Sequence, residues 1–244
     1  MLGCRHGFLR APLRTFQGTE ELLVRDPFNG HEHHLAIPPV LGRKSIHGAV
    51  LRAAPGVDHF QVVLVRTDVK QGVVACIYSS ETGLWGNLIT TPLPSRGRID
   101  PNKPAVLVGG SLYMLLLRLE APSMIVEFDV GRQSLAVIPL PASLDSEHSR
   151  FYSVMRADGG GLGVDSWMLA RTVELDKLIS PDLKRQCSLQ IAGLAEENNV
   201  VFLWSSVGVF RVQLDSLQFK RLPLTNFRQW HPYEKFVGFI LLVG

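Results

Sequence analysis

Residues 74–85, VACIYSSETGLW, decide how the chain folds. They open as an unbroken apolar run, reverse on Ser79-Ser80-Glu81-Thr82-Gly83, and set down Trp85 as soon as the chain can run back. Such a run followed by small polar residues and glycine marks a strand entering a turn. The short side chains bond to nearby backbone, and glycine takes positive φ without a Cβ penalty. The same grammar recurs over residues 22–39 (LLVRDPFNGHEHHLAIPP), 124–141 (MIVEFDVGRQSLAVIPLP) and 208–225 (GVFRVQLDSLQFKRLPLT). In each copy an apolar strand meets a polar turn, a second strand carries a large apolar residue, and proline follows. Residues 167–180 (WMLARTVELDKLIS) form a looser fifth copy.

Anchoring the copies on Asp26, Ser80, Asp129 and Asp215 gives steps of 54, 49 and 86, the last close to two units of 43. A period of about 40–50 residues belongs to propeller blades, each a four-stranded sheet that cannot cover its own faces. The expected fold is therefore an all-β β-propeller of about five recognisable blades, complete or lacking part of its circle, over residues 1–244 as a single domain. In that arrangement Asp or Ser bonds to backbone two residues on, and the aromatic after the turn packs between neighbouring sheets, a role given to Trp85 and Trp204. Further strands are expected at residues 60–65, in a hairpin over 105–117 with Gly109-Gly110 at its tip, and over 194–204 with a bend at Asn198-Asn199. One short helix is expected over residues 173–179, ended by Pro181.

Composition agrees with a globular chain: 46% of the 244 residues are hydrophobic and 19% charged. The net charge of +3 comes from scattered groups such as Arg43-Lys44, Lys184-Arg185 and Lys220-Arg221, without the like-charged run that tracks nucleic acid. Cys4, Cys76 and Cys187 are far apart, odd in number and free of CxxC spacing, so they read as buried thiols in a reducing compartment, cytoplasmic or nuclear. The apolar tail 236–244, FVGFILLVG, falls far short of the roughly 20 residues a spanning helix needs, and no membrane partner is expected. Arg5, Arg10 and Arg14 precede the first acid, Glu20, as in a presequence, but Pro12 interrupts the pattern and the segment reads as part of the fold.

Chemistry-bearing patterns are few. In His31-Glu32-His33-His34, strand alternation sends His31 and His33 to one face and His34 to the other, with Cys4 and His6 as candidate neighbours. The spacing is not HExxH and follows a Pro-Phe-Asn-Gly turn, so solvated strand histidines are expected and no metal. The run 158–163, DGGGLG, fits neither GxGxxG nor GK[ST] and reads as a hairpin turn, so no phosphate cofactor is expected. Ser111 lacks a GxSxG elbow, no histidine lies near Cys76 or Cys187 in sequence, and Glu196-Glu197 face water beside a turn. No catalytic residue is assigned, and the chain is expected not to be an enzyme. Arg228, Trp230, His231 and Tyr233 combine arginine with aromatics outside a regular strand, the composition of partner surfaces, and are the candidate contact residues.

Taken together, several short stretches resemble a known plant family, the F-box proteins whose C-terminal half is an F-box-associated β-propeller, above all the large grass branch. The stretches are Cys4-Arg5-His6-Gly7, Leu23-Val24-Arg25-Asp26-Pro27 with Gly30, residues 78–85, Gly109-Gly110-Ser111-Leu112-Tyr113, and Glu127-Phe128-Asp129 with Ser134-Leu135-Ala136. Glu174-Leu175-Asp176-Lys177-Leu178, Gly208-Val209-Phe210 with Leu214-Asp215-Ser216-Leu217, and His231-Pro232-Tyr233 complete the set in family order. The resemblance implies a kelch-like module that selects an unknown target protein for an SCF-type ubiquitin ligase. Met1 directly precedes the first stretch, so the helical F-box that docks on the Skp1 adaptor is expected to be absent, and this chain alone is not expected to bind Skp1. The chain departs from the family in a fourth blade shortened around residues 150–180 and in the atypical tail 236–244. Two alternatives stay open: a truncated fragment, regulatory or without function, and an enzyme or sugar-binding propeller.

Overall fold

The computed structural model describes residues 3–4, 9–10, 14–16, 19–25, 30–41, 46–52, 59–100, 105–118, 122–140, 190–195, 198–205 and 208–222. The described chain is all-β, with a single 3-10 turn at Pro39–Leu41 as the one helical element among those residues. Its strands make four sheets. After β1 (Gly3–Cys4), the first sheet sets β2 (Leu9–Arg10) and β3 (Arg14–Phe16) in line along β4 (Thr19–Arg25), whose other edge takes β5 (Glu32–Ala36). The second runs β6 (His47–Arg52), β7 (Phe60–Asp68), β8 (Gly72–Ser79) and a last rung split into β9 (Leu84–Trp85) and β10 (Ile89–Thr91). The third has a split first rung, β11 (Gly97–Ile99) and β12 (Val106–Val108), then β13 (Ser111–Arg118), β14 (Met124–Asp129) and β15 (Ser134–Pro139). The fourth is β16 (Gln190–Ala195), β17 (Val200–Ser205), β18 (Gly208–Gln213) and β19 (Phe219–Arg221).

Each sheet is an antiparallel meander built from consecutive stretches of chain. The exception is β1, which adds in parallel to β6 with Gly3 opposite Ala49. The hairpins expected at 22–39, 75–94, 124–141 and 208–225 are β4–β5, β8–β9 with β10, β14–β15 and β18–β19. Gly109 and Gly110, both at positive φ, form the β12–β13 tip, and Asn199, φ 49°, sits at the β16–β17 bend. The fifth copy, the helix expected over 173–179, the shortened fourth blade and the tail 236–244 lie outside the described residues.

The second meander is buried from both sides. Successive side chains along a strand point to opposite faces. Val50, Phe60, Val62, Leu64, Val74 and Cys76 meet Leu22, Val24 and Leu35 of the first meander. Val63, Val65, Val73, Ala75 and Ile77 meet Leu112, Met114, Leu116, Val126 and Phe128 of the third. A stretch with two dry faces has no solvated positions to make polar, so residues 62–65 of β7 and 73–77 of β8 read as unbroken apolar runs. Each large aliphatic or aromatic side chain so enclosed contributes about 1.5–3 kcal/mol relative to exposure. The fourth meander repeats the pattern, with Val200 and Phe202 buried on one face and Val201, Leu203, Phe210 and Val212 on the other.

Three of the hairpins share one turn. Ser79 pairs with Leu84 and Asp129 with Ser134, and Gln213 N donates to Gln218 O beyond the Val212–Phe219 pair. Each loop therefore holds four residues and ends in the left-handed region, at Gly83 (φ 72°), Gln133 (φ 52°) and Leu217 (φ 54°). A non-glycine residue there is strained by about 1 kcal/mol. Gln133 is exposed, so Gln133→Gly is expected to raise stability by about that amount. A higher denaturation midpoint with an unchanged slope in urea would register the gain.

Candidate functional site

The four expected contact residues, Arg228, Trp230, His231 and Tyr233, lie outside the described residues, as do His6, the 158–163 run, Cys187 and Glu196-Glu197. The histidine strand is β5, held along one edge by β4. Leu35 is buried toward the second meander, and His33, two residues earlier on the same face, sets its ring 4.9 Å from that of Phe60 at 59°. His34 turns the other way, its Nδ1 3.1 Å from Glu21 Oε2. The alternation expected from sequence thus separates His33 from His34. Cys4 belongs to β1 on the second meander, opposite Val50 rather than on the histidine strand's own sheet. Among the described residues, no three His, Cys, Asp or Glu side chains gather as a cation site.

What β5 does join is an aromatic seam. Phe60 lies 6.2 Å from Tyr78 and Tyr78 lies 5.3 Å from Trp85, centroid to centroid, in tilted arrangements that ring quadrupoles favour. Trp85 Nε1 then donates to Ala36 O at 2.8 Å, crossing from the second meander to the first. Trp85 therefore packs between sheets as expected. Trp204 does not: it is 41% exposed, because it falls near the end of β17, one rung before Ser205 closes on Gly208, past the buried Val200 and Phe202.

The turn residues also differ from expectation in their partners. Asp129 Oδ1 accepts from Arg132 N at 2.8 Å, three residues on rather than two. Ser80 leaves its own turn: its Oγ accepts from Phe60 N at 2.7 Å and its N–H donates to Phe60 O at 2.9 Å, while Thr82 Oγ1 accepts from Leu84 N within the loop. Asp215 accepts from Asn199 Nδ2 at 3.2 Å, again tying a turn to the strand bend beside it. Ser80 and Asp215 thus each tie a turn to another part of their own meander, while Asp129 closes its own loop. No local pattern announces the Phe60–Ser80 tie, whose partners stand 20 residues apart.

Among the described residues, three titrating groups are displaced from their ordinary values. Backbone N–H donors from Lys70 and Gln71 hold the Asp68 carboxyl low, with Arg66 adding to them. Burial, and then the Glu127 carboxylate accepting its hydroxyl at 2.9 Å, raises Tyr113. Burial pushes the Cys76 thiol up to about 12. The thiolate is the form that attacks electrophiles, so Cys76 is inert in the fold, as the sequence suggested of a buried thiol. Pulse alkylation at pH 8 is expected to leave Cys76 unmodified in the native protein and to label it fully in urea, as read by mass spectrometry of its peptide. Because the folded value lies above the ordinary 9.0, the stability this thiol contributes is whole below about pH 9 and drains as pH climbs toward 12.

The chain matches no protein-family model and no curated protein.

Proposed function

We propose that the chain is the target-recognition module of an F-box-type ubiquitin ligase subunit, built as a β-propeller whose rigid loops select another protein. The observation that carries this reading is the second meander, enclosed by the meander before it in the chain and the one after it. Blades set around an axis are flanked in that way, each by its sequence neighbours, whereas a two-sheet sandwich gives every sheet one inner face and one wet one. The shared four-residue turn and the buried faces of the fourth meander support the same repeat. In this reading the propeller supplies recognition and a Skp1-docking F-box supplies recruitment.

A fusion tests the reading. With a Skp1-docking F-box joined ahead of residue 1, the chain should shorten the half-lives of a small, reproducible set of proteins several-fold. That effect should vanish when cullin ligases are inhibited and when the F-box is replaced by an unrelated domain. A folded fusion that binds Skp1 yet leaves every protein half-life unchanged rejects the function.

A further inference from the structure

The two ends of the second and third meanders differ in charge. At the end where β7 turns into β8 and β10 passes to β11, the described residues place Arg66, Lys70, Arg96, Arg98 and Arg118. Close contacts hold that end together. Gly72 abuts the backbone of Thr91, Pro92 and Leu93, Arg118 Nε donates to Ser95 Oγ at 2.7 Å, and Gly97 lies opposite Arg118. Asp68, the acid at the β7–β8 turn, is already engaged by Arg66 at 3.0 Å and by the amides of Lys70 and Gln71, while Asp100 is buried. Arg118 spends its other contacts on Pro122 O and Met124 Sδ rather than on a carboxylate. The side chains of Arg96 and Arg98 are exposed and form no hydrogen bond or ion pair with another described residue. At the opposite end charges alternate, with Glu81 exposed and Asp129 3.6 Å from Arg132.

We propose that this cationic rim binds an acidic stretch of a protein partner, with Arg96 and Arg98, two residues apart on one face of the edge strand, taking its carboxylate or phosphate groups. A guanidinium offers paired donors that match either anion, and exposed cations gathered at one end draw an acidic segment in from solution. The proposal rests on the interaction-module reading above and adds the chemistry of what is recognised.

Fluorescence anisotropy with labelled peptides of about twelve residues tests it on the full chain: one bearing glutamates, one phosphoserines, one glutamines at the same positions. The acidic peptides should bind, more weakly as salt rises, and the tighter of the two names the anion. The glutamine peptide should not bind. Arg96→Ser with Arg98→Ser should weaken binding at least about tenfold, since each removes charge-assisted hydrogen bonds, with an unchanged melting temperature. Arg132→Ser, at the other end, should bind as the parent does. Failure of both acidic peptides to bind, undiminished binding by the double variant, or tighter binding of a single-stranded oligonucleotide of equal charge overturns the proposal. The fusion assay scores target selection separately, so loss of this rim and loss of the module reading can be told apart.

Discussion

Gly72→Ala is expected to destabilise the protein by about 3–5 kcal/mol, enough to lower the melting temperature by about 10 °C. Two costs combine at this position. Its φ of 82° lies in the left-handed region, where a Cβ costs about 1–2 kcal/mol by itself. A Cβ would also overlap the carbonyl oxygen of Thr91 and stand 2.8 Å from Leu93 N and Pro92 Cα. All three are backbone atoms of the link from β10, so no side chain can swing aside, and the contact is relieved only by parting β10 from β8. That pairing, Thr91 with Val73, carries the chain into the third meander. Gly83→Ala is the control: its φ is 72° but nothing lies within 4 Å of the new atom, so only the conformational cost of about 1 kcal/mol applies. Urea titrations of both variants measure the difference. Equal losses at the two glycines would show that β10 yields to the intruding methyl.

Much of this was legible in the sequence, for reasons that can be named. Four hairpins, the Gly109-Gly110 tip and the Asn198-Asn199 bend were readable because turns are specified locally, by residues that tolerate positive φ or bond to adjacent backbone. The unbroken apolar runs of β7, β8 and β17 located strands but left open what covered them, since a periodicity of two vanishes once both faces are dry. Other features depend on partners distant in the chain. Ser80 has the composition of a turn residue, yet it serves Phe60 across the sheet. Gln133 and Leu217 occupy the left-handed position that Gly83 fills in the second meander, because the surrounding hairpin imposes the loop and the side chain bears the strain. Trp85 and Trp204 look alike in their segments, but their fates part according to how far along the strand the neighbouring sheet extends. The cationic rim was hidden because its arginines come from β11, β13 and the link before them, so no run of like charge appears in the sequence.

Val62→Asp and Val63→Asp, at adjacent positions of β7, are expected to cost at least about 3 kcal/mol each, and each variant should lose its cooperative transition at ordinary temperature. Both side chains are fully enclosed, with exposures of 0%. Val62 belongs to the layer shared with Leu22, Val24 and Leu35, and Val63 to the layer shared with Met114, Val126 and Phe128. In a sheet with one wet face, one of any two successive residues accepts a charge at a cost within about 0.5 kcal/mol. Here neither can, because a carboxylate on either side must enter a separate apolar layer without a partner. Thr90→Asp, on exposed β10, provides the tolerated case in the same meander. The comparison bears on how the repeats are assembled as well as on stability. If Val62→Asp were severe and Val63→Asp mild, the third meander would not cover the second in solution, and the argument from flanked blades to a recognition module would lose its footing. If both are severe while Thr90→Asp is silent, the second meander is held between its two neighbours in the chain, and the loops at its ends are fixed relative to those on either side. That rigidity is what holds Arg96 and Arg98 in place beside the contact of Ser95 with Arg118.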